Sequence, residues 1–221
     1  MSNVELAVDV RGLSKSFGEK AVLKDINFTL KKGTTAVIRG SNGIGKTVFL
    51  SCLLGYQSVE QGEVAILGKS IRDRVFLRKN TGFISSDRHE FMDILTPNEY
   101  FRFIIDIYQL SVPQTRITEL AEQLRVTHEL NHLIKELSFG TKKKIQLIGC
   151  LLYQPALLVC DEIFEGLDAD TVKYVQKSFQ QRKDSGLTTL FTTHIMHHAD
   201  FVDETFSLEN GEIIPAMSIT A

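Results

Sequence analysis

Apolar residues recur along this chain with two periods, and segments of the two kinds alternate. Strict alternation, or a short unbroken apolar run, predicts a strand, whereas spacing of three or four residues predicts an amphipathic helix. The strands predicted in this way cover residues 5–10, 21–30, 34–38, 63–67, 81–85, 156–160, 188–193, 206–208 and 212–214, and the helices cover 47–54, 97–112, 114–124, 142–152 and 170–183. These elements predict an α/β fold.

The pattern changes in the middle of the chain, where residues 87 to about 154 predict a mainly helical insertion. Its first helix opens at Thr96-Pro97 and is ended by Pro113. Two apolar stripes lie side by side on this helix, which is more than one core face requires. One stripe comprises Tyr100, Phe103 and Ile107, and the other comprises Phe101, Ile104, Ile105 and Tyr108. The helix is therefore either buried on both sides or exposed as a docking surface for a partner.

The residues between strand 34–38 and helix 47–54 carry the strongest chemical signal. They have the form G-x-x-x-x-G-K-[ST] of a phosphate-binding P-loop. The glycines let backbone N–H groups approach phosphate oxygens, and the helix N-terminus adds a partial positive charge. Lys46 is expected to reach the β- and γ-phosphates, and the Thr47 hydroxyl to bind Mg²⁺. The predicted nucleotide-binding residues are Gly40, Ser41, Asn42, Gly43, Ile44, Gly45, Lys46 and Thr47.

Polar groups follow two of the predicted buried strands. Asp161 and Glu162 come directly after residues 156–160, and ligands of open α/β sheets lie at this end of the strands. With a P-loop upstream, Asp161 is the expected magnesium partner, and Glu162 is placed to take a proton from the attacking water. His194 ends the next strand and can hydrogen-bond the γ-phosphate or that water. A metal site of His194, His197 and His198 is the alternative, but no carboxylate or cysteine is spaced to complete it.

Lys142, Lys143 and Lys144 crowd the N-terminus of the helix predicted at 142–152. This is the unfavourable end for cations, because the helix macrodipole is positive there. A short polar turn, residues 137–141, precedes the helix. The lysines form either a solvated face or a site whose bound polyanion relieves the repulsion.

Composition narrows the class of protein. The chain has 221 residues, 43% hydrophobic and 24% charged, with a formal net charge of −2, so no general attraction to nucleic acid is expected. The first residues lack the order of a signal peptide, and no apolar run is long enough to span a bilayer. Cys52, Cys150 and Cys160 fall inside predicted elements and form no metal or redox pair, which predicts reduced, buried thiols in a cytosolic protein.

Five separated features together resemble the ATP-binding subunit of ABC transporters, and the resemblance covers essentially the whole chain. Phe17, in a turn predicted at residues 15–18, falls where the family has an aromatic residue that stacks on adenine; a phenylalanine in such a turn, taken alone, is more often a small core anchor than a base-stacking residue. The five features are the P-loop, the Leu-Ser-Phe-Gly-Thr turn at 137–141, the Asp161-Glu162 pair, the Gly-Leu-Asp turn at 166–168, and His194.

The resemblance implies ATP and Mg²⁺ as ligands and a P-loop NTPase (RecA-like) core. An N-terminal antiparallel β subdomain and the helical insertion complete a single ABC ATPase domain over residues 1–221. It further implies a second ATPase subunit, identical or different, with the nucleotide between the two. Ser138 and the Gly140 backbone would then meet the γ-phosphate bound by the other subunit. A membrane-embedded permease on a separate chain would hold the protein at the cytoplasmic, inner face of the cell membrane.

The chain departs from the family pattern in two places. Phe139 and Thr141 replace a Gly and the Gln of the usual Leu-Ser-Gly-Gly-Gln signature, and Ser86, followed by Asp87, stands where the family has a Gln that binds magnesium and water. Ser86 is therefore only a weak candidate ligand. In both departures the chain resembles the bacterial exporters of drugs, antibiotic peptides and polysaccharides, a subgroup of the family in which these positions vary. The alternatives are an ABC ATPase that acts on a cytosolic assembly, and a poorly hydrolytic half of a heterodimer.

Overall fold

The computed structural model of the chain describes residues 5–86, 90–194 and 200–216. An initial hairpin is followed by strands and helices interspersed along the chain, with two short 3-10 helices at Thr127–Glu129 and Ile134–Glu136. The strands are β1 (Leu6–Phe17), β2 (Lys20–Lys31), β3 (Thr35–Arg39), β4 (Gln61–Ile66), β5 (Lys69–Ser70), β6 (Thr81–Ile84), β7 (Leu157–Cys160), β8 (Thr188–Thr193), β9 (Glu204–Glu209) and β10 (Glu212–Pro215). The helices are α1 (Lys46–Leu53), α2 (Arg74–Asn80), α3 (Glu90–Asp93), α4 (Pro97–Tyr108), α5 (Gln114–Gln123), α6 (Phe139–Tyr153) and α7 (Ala169–Asp184).

The strands form two sheets, as the predicted α/β fold with an antiparallel β subdomain requires. The larger sheet has the order β10-β9-β3-β8-β7-β6, and its neighbouring pairs from β9 to β6 are parallel. The smaller sheet has the order β2-β1-β4-β5 and is antiparallel. The fold class is therefore confirmed, with helices α3–α6 lying between β6 and β7 in the chain.

The unbroken apolar run at β7 is explained by burial on both faces of the sheet. Leu157 and Val159 belong to one hydrophobic cluster, together with α1 and the smaller sheet. Leu158 and Cys160 belong to a second cluster, which includes α4, α6 and α7. Parallel strands covered by other elements on both faces have this composition because neither face meets water.

The hairpin of β1 and β2 differs from the prediction at its closed end. Residues 15–17 were expected in a turn but belong to β1, where Phe17 pairs with Lys20 and the turn falls at residues 18–19. Register shifts between Val10 and Leu13, and again between Leu13 and Ser16, interrupt the strand pairing. Such bulges break the strict alternation of polar and apolar residues, so the strand predicted from that alternation is too short at its C-terminal end.

Helix α4 begins as predicted but ends earlier. Thr96 and Glu99 form a capping box at its N-terminus, with Pro97 in the first turn. The helix ends at Tyr108 rather than before Pro113, because Gln109 adopts a left-handed conformation with φ of 51°. Helix α2, which has Asp73 as its N-cap, was not predicted at all, since its seven residues are too few to show a period.

The two apolar stripes of α4 do not behave as two faces. Tyr100 is buried and packs against Gly149 of α6, where an added Cβ would lie 2.8 Å from the Tyr100 hydroxyl. Phe103 and Ile107 are exposed over 45% and 57% of their surface. The grouping of Tyr100 with Phe103 and Ile107 in one stripe was wrong, because only Phe103 and Ile107 lie on the side of the helix that faces solvent.

Helix α6 also begins earlier than predicted. Phe139, Gly140 and Thr141 form its first turn rather than a polar loop, and Ser138 is the N-cap whose hydroxyl accepts the Thr141 N–H. Gly140 packs so closely on the Gly166 carbonyl that a Cβ could not be accommodated. A capping serine at this position stabilises the extra turn by satisfying an otherwise unpaired amide.

The three lysines of α6 have partners within the chain, so neither a solvated face nor a bound polyanion is needed to explain them. Lys142 pairs with Asp93 at 2.9 Å. Lys143 is buried and donates to the backbone carbonyls of Glu162 and Glu165. Lys144 lies 2.9 Å from Asp168, the N-cap of α7, and this hydrogen bond holds the pKa of the Asp168 carboxyl well below its usual range.

Cys52, Cys150 and Cys160 are buried free thiols in α1, α6 and β7, as predicted. Burial raises the pKa of Cys52 and of Cys150 to about 11, so both remain protonated near neutral pH. In the described part of the chain, no helix has both the length and the hydropathy needed to cross a bilayer.

Candidate active site

The candidate site lies at the carboxyl ends of the parallel strands of the larger sheet. The loop after β3 leads into α1, and residues 161–162 follow β7. Ser86 follows β6, and His194 follows β8. Because β3, β8, β7 and β6 are neighbours in the sheet, their ends bring these groups to one edge.

The loop at residues 40–45 owes its shape to two glycines with positive φ. Gly43 has φ of 77° and Gly45 has φ of 116°. A Cβ at Gly45 would lie 2.8 Å from Val22 Cγ1, so a side chain fits here only if Val22 shifts. Lys46 folds back over the loop and donates to the carbonyls of Gly40 at 2.6 Å and Ser41 at 3.1 Å.

Lys46 and Glu162 form an ion pair in the centre of the site. Lys46 Nζ lies 2.9 Å from Glu162 Oε1, and both side chains are about nine-tenths buried or more. The contact lacks hydrogen-bond geometry, and Glu162 Oε1 is a buried acceptor that receives no hydrogen bond from the described residues. The pair neutralises two buried charges but leaves this carboxylate oxygen able to accept a proton donor.

Asp161 is completely buried and accepts three hydroxyl groups. Its Oδ2 accepts Thr47 Oγ1 at 2.7 Å and Ser86 Oγ at 2.6 Å. Its Oδ1 accepts Thr192 Oγ1 at 2.7 Å. A carboxylate oxygen with two hydroxyl oxygens at one point forms a donor set of hard oxygen atoms.

Glu162 is positioned by groups on both sides. Its backbone has φ of 47°, and its N–H donates to Thr192 Oγ1 at 2.9 Å. Its Oε2 accepts the His194 N–H at 3.2 Å and lies 2.9 Å from His194 Nδ1. Lys143 donates to the Glu162 carbonyl and to the Glu165 carbonyl, the second at 3.1 Å. The left-handed backbone at Glu162 is thus held by hydrogen bonds from two other elements.

Burial of Lys143 lowers the pKa of its amine, because desolvation penalises the charged form. The ammonium also lies 4.3 Å from the centroid of the Phe139 ring. Phe139, at the start of α6, therefore covers the lysine that supports the backbone at Glu162. This contact gives the unusual aromatic residue a structural partner within its own chain.

A cavity of about 370 Å³ opens in front of this constellation. Phe17 lies at its edge with 47% of its surface exposed, so it is not a core anchor. The residues that line the cavity are Phe17, Val22, Asn42, Gly43, Gly45, Lys46, Thr47, Val48, Ser86, Glu162 and Glu165.

Several predicted residues lie outside this lining. Gly40 and Ser41 serve through their carbonyls, which hold Lys46, and Ile44 packs against the neighbouring hydrophobic cluster. Ser138 and Gly140 at the start of α6 do not line the cavity. Asp87, His197 and His198 lie outside the described residues. Within residues 5–86, 90–194 and 200–216, no group of three His, Cys, Asp or Glu side chains is arranged to hold a metal.

Thr192 and Lys143 hold the two carboxylate residues in place. No local sequence pattern predicts this role for either residue. Thr192 forms hydrogen bonds with both Asp161 and Glu162. The one feature of the sequence that could have indicated this role is the position of a polar residue near the end of a fully buried strand. In the sequence, Lys143 is distinguished only as one of three consecutive lysines near a helix N-terminus. Its role depends on α6 passing behind residues 162–165, which no local pattern reveals.

Comparison with known proteins identifies close similarity to one family. A family model described as ABC transporter matches residues 23–165. Nod factor export ATP-binding protein I of Rhizobium leguminosarum bv. viciae is 32% identical over 217 residues, which cover 95% of this chain and 68% of the relative. The linearmycin resistance ATP-binding protein LnrL of Bacillus subtilis strain 168 is 27% identical, covering 94% and 68%.

The fold is also that of a solved ATP-binding cassette, determined as a dimer in a post-hydrolysis state with ADP and Pi. The two structures superpose with a TM-score of 0.79 at 23% identity, covering 93% of this chain and 96% of the other. At this identity the likeness concerns the fold.

The position of Thr192 generates a prediction about stability. Replacing Thr192 with Val keeps the shape but leaves Asp161 Oδ1 and the Glu162 N–H without their shared partner. We expect the free energy of unfolding, measured by urea denaturation, to fall by about 1–3 kcal/mol. Thr192→Ser keeps the hydroxyl and should lose less; equal losses in the two variants would show that the hydroxyl is not what matters.

Proposed function

This chain belongs to the ABC transporter family, and on that premise we propose that it hydrolyses ATP to drive transport, most simply export, through a separate membrane-spanning partner. The observation that carries the proposal is the convergence of Lys46, Thr47, Asp161 and Glu162 at one edge of the sheet. The relatives named for Nod factor export and for linearmycin resistance support export as the direction.

Nucleotide binding exchanges the partners of Lys46. In the present arrangement its charge is balanced by Glu162 and two loop carbonyls. A triphosphate in the cavity offers the ammonium a stronger anionic partner, and the N-terminus of α1 adds its partial positive charge. Lys46 then turns to the β- and γ-phosphates, and Glu162 Oε1 is released. Phe17, at the edge of the cavity, is placed to stack on the base.

The oxygen donors around Asp161 fit a magnesium ion. Thr47 Oγ1 and Ser86 Oγ already meet the same carboxylate oxygen, and Mg²⁺ sites in nucleotide enzymes use one or two carboxylates together with phosphate oxygens. We assign Thr47, Ser86 and Asp161 to this site, with Ser86 in the place of the family's Gln. The ion, when bound, neutralises charge on the phosphates.

Glu162 is the proposed general base. No residue that the structure describes donates a hydrogen bond to its Oε1, so once Lys46 turns to the phosphates this oxygen can accept a proton from water at the γ-phosphate. His194 holds the other carboxylate oxygen and thereby fixes the rotation of the side chain. Lys143 and Thr192 are positioning residues, because they hold the backbone of Glu162.

A second ATPase subunit completes the proposed site. Ser138 lies exposed at the start of α6 and outside the cavity, so it can serve a nucleotide held by another subunit. Gly140 lies in the same first turn. The dimeric cassette with this fold supports the arrangement. We further propose that residues 1–221 act as one ABC ATPase domain with residues 87–154 as its helical insertion, at the inner face of the membrane.

The permease is proposed to bind the exposed apolar residues of the helical insertion. Phe103 and Ile107 project from α4, and Ile94, between α3 and α4 in the chain, is 75% exposed. Tyr100 is excluded from the contact because it is buried against α6. Large apolar side chains grouped on a surface are costly in water and are covered when a partner binds.

Replacing Glu162 with Gln tests the proposed base. We expect ATP turnover, measured as phosphate release, to fall about 10²–10⁴-fold, while ATP binding persists or tightens because one negative charge near the phosphates is removed. Glu209→Gln, at an exposed strand end, is the matched control and should keep wild-type turnover. Unchanged hydrolysis in Glu162→Gln would remove this residue from its role, and an inactive wild type would favour a non-hydrolytic subunit.

Replacing both Phe103 and Ile107 with Ser tests the docking surface. We expect co-purification with the membrane-spanning partner to drop, because the apolar contact area is lost, while thermal stability stays near that of the wild type. Ile214→Ser is the matched control, since Ile214 is 43% exposed on β10, at the opposite edge of the sheet from β6. Intact co-purification of the double variant would place the permease elsewhere.

A further inference from the structure

Lys15, near the end of β1, is a buried cation that the proposed ATPase mechanism does not use. Only 8% of its surface is exposed, and a charged side chain is costly to remove from water unless partners replace the water. Its Nζ donates to Ser58 Oγ at 3.4 Å and lies 3.3 Å from Glu60 Oε1. Both partners belong to the segment that leads into β4, so the lysine ties the end of β1 to that segment.

The same ammonium also contacts the ring of Phe17. Lys15 Nζ lies over this ring, 5.3 Å from its centroid, which is within the range of a cation–π interaction. An ammonium group has three N–H donors, and the hydroxyl, the carboxylate and the ring face give it three neighbours. The hydroxyl and the carboxylate therefore hold the cation at a fixed place against the ring.

The side chain of Phe17 is little restrained by packing. Phe17 is the last residue of β1, and 47% of its surface is exposed. Its backbone is held more firmly, because Glu60 accepts the N–H of the preceding residue, Ser16, with both carboxylate oxygens, at 3.2 and 3.1 Å. A fixed backbone leaves the ring free to turn about its side-chain bonds, so the contact with Lys15 is what favours one orientation of the ring.

We propose that Lys15 is a positioning residue for the base of the nucleotide, because it orients the Phe17 ring for stacking. Phe17 lines the nucleotide cavity and Lys15 does not, so the ammonium leaves the space in front of the ring open to a base. A ring that is already oriented loses less conformational freedom when a base stacks on it, and the base is then bound more tightly. This inference rests on the proposed function, since it takes ATP as the ligand of the cavity.

Calorimetric titration with ATP and with inorganic triphosphate, which has no base, tests the proposal; both ligands are used with Mg²⁺. We expect Lys15→Met to weaken ATP binding about three- to tenfold and to change triphosphate binding by less than about twofold. Lys15→Arg keeps a cation at this place and should retain most of the affinity for ATP. Lys32→Met is the matched control, because Lys32 pairs with Glu5 at 2.8 Å outside the cavity, and it should bind both ligands as the wild type does.

A double-mutant cycle shows whether the lysine acts through the ring. When Phe17→Leu is already present, Lys15→Met should cause no further loss of ATP affinity, because the contact between the two side chains no longer exists. If Lys15→Met does not fold, Glu60→Gln weakens the hold on the ammonium and should cause a smaller loss that is confined to ATP.

Three results would overturn the inference while leaving the proposed function intact. They are an unchanged ATP affinity in Lys15→Met, equal losses for ATP and triphosphate, and a loss of the same size with and without the Phe17 ring. A wild-type chain that binds neither ligand would overturn the proposed function, and this inference with it.

Discussion

The site depends on one interaction, the ion pair between Lys46 and Glu162. Each group is buried, and each would be costly to keep charged without the other. Because desolvation offsets most of the attraction within such a pair, exchanging Glu162 for a phosphate as the partner of Lys46 costs little net stability. The same exchange frees a carboxylate oxygen that accepts no hydrogen bond from the described part of the chain. One contact thus links occupation of the loop to release of the proposed base.

The fold holds this pair in place through strand order and buried hydroxyls. The loop before α1 and the turn after β7 come together because β8 alone separates β3 from β7. Thr192, on β8, bonds both acidic residues, and Lys143 on α6 fixes the backbone from behind. The apolar residues of the sheet are covered on both faces, so the strand ends have little freedom to move apart. The chemistry is therefore supported by residues that never meet the substrate.

The sequence was sufficient to predict an element where the pattern that specifies it lies in neighbouring residues. The glycine loop, the apolar run of β7 and the start of α4 at Thr96-Pro97 each depend on neighbouring residues, and α1, β7 and α4 begin close to where they were predicted. Local patterns failed where the cause was distant. Bulges opposite β2 hid the second half of β1, and the surroundings of Lys143 and of Tyr100 were set by contacts between elements far apart in the chain.

Calorimetric titration of Mg·ATP into the wild-type chain and into Lys46→Ala tests the central claim most directly. The exchange of partners at Lys46 predicts one nucleotide bound per wild-type chain, and an affinity at least about tenfold weaker when the ammonium is removed, since a charge-assisted hydrogen bond to phosphate is lost. No heat of binding in the wild type, or equal affinities in the two proteins, would contradict the account.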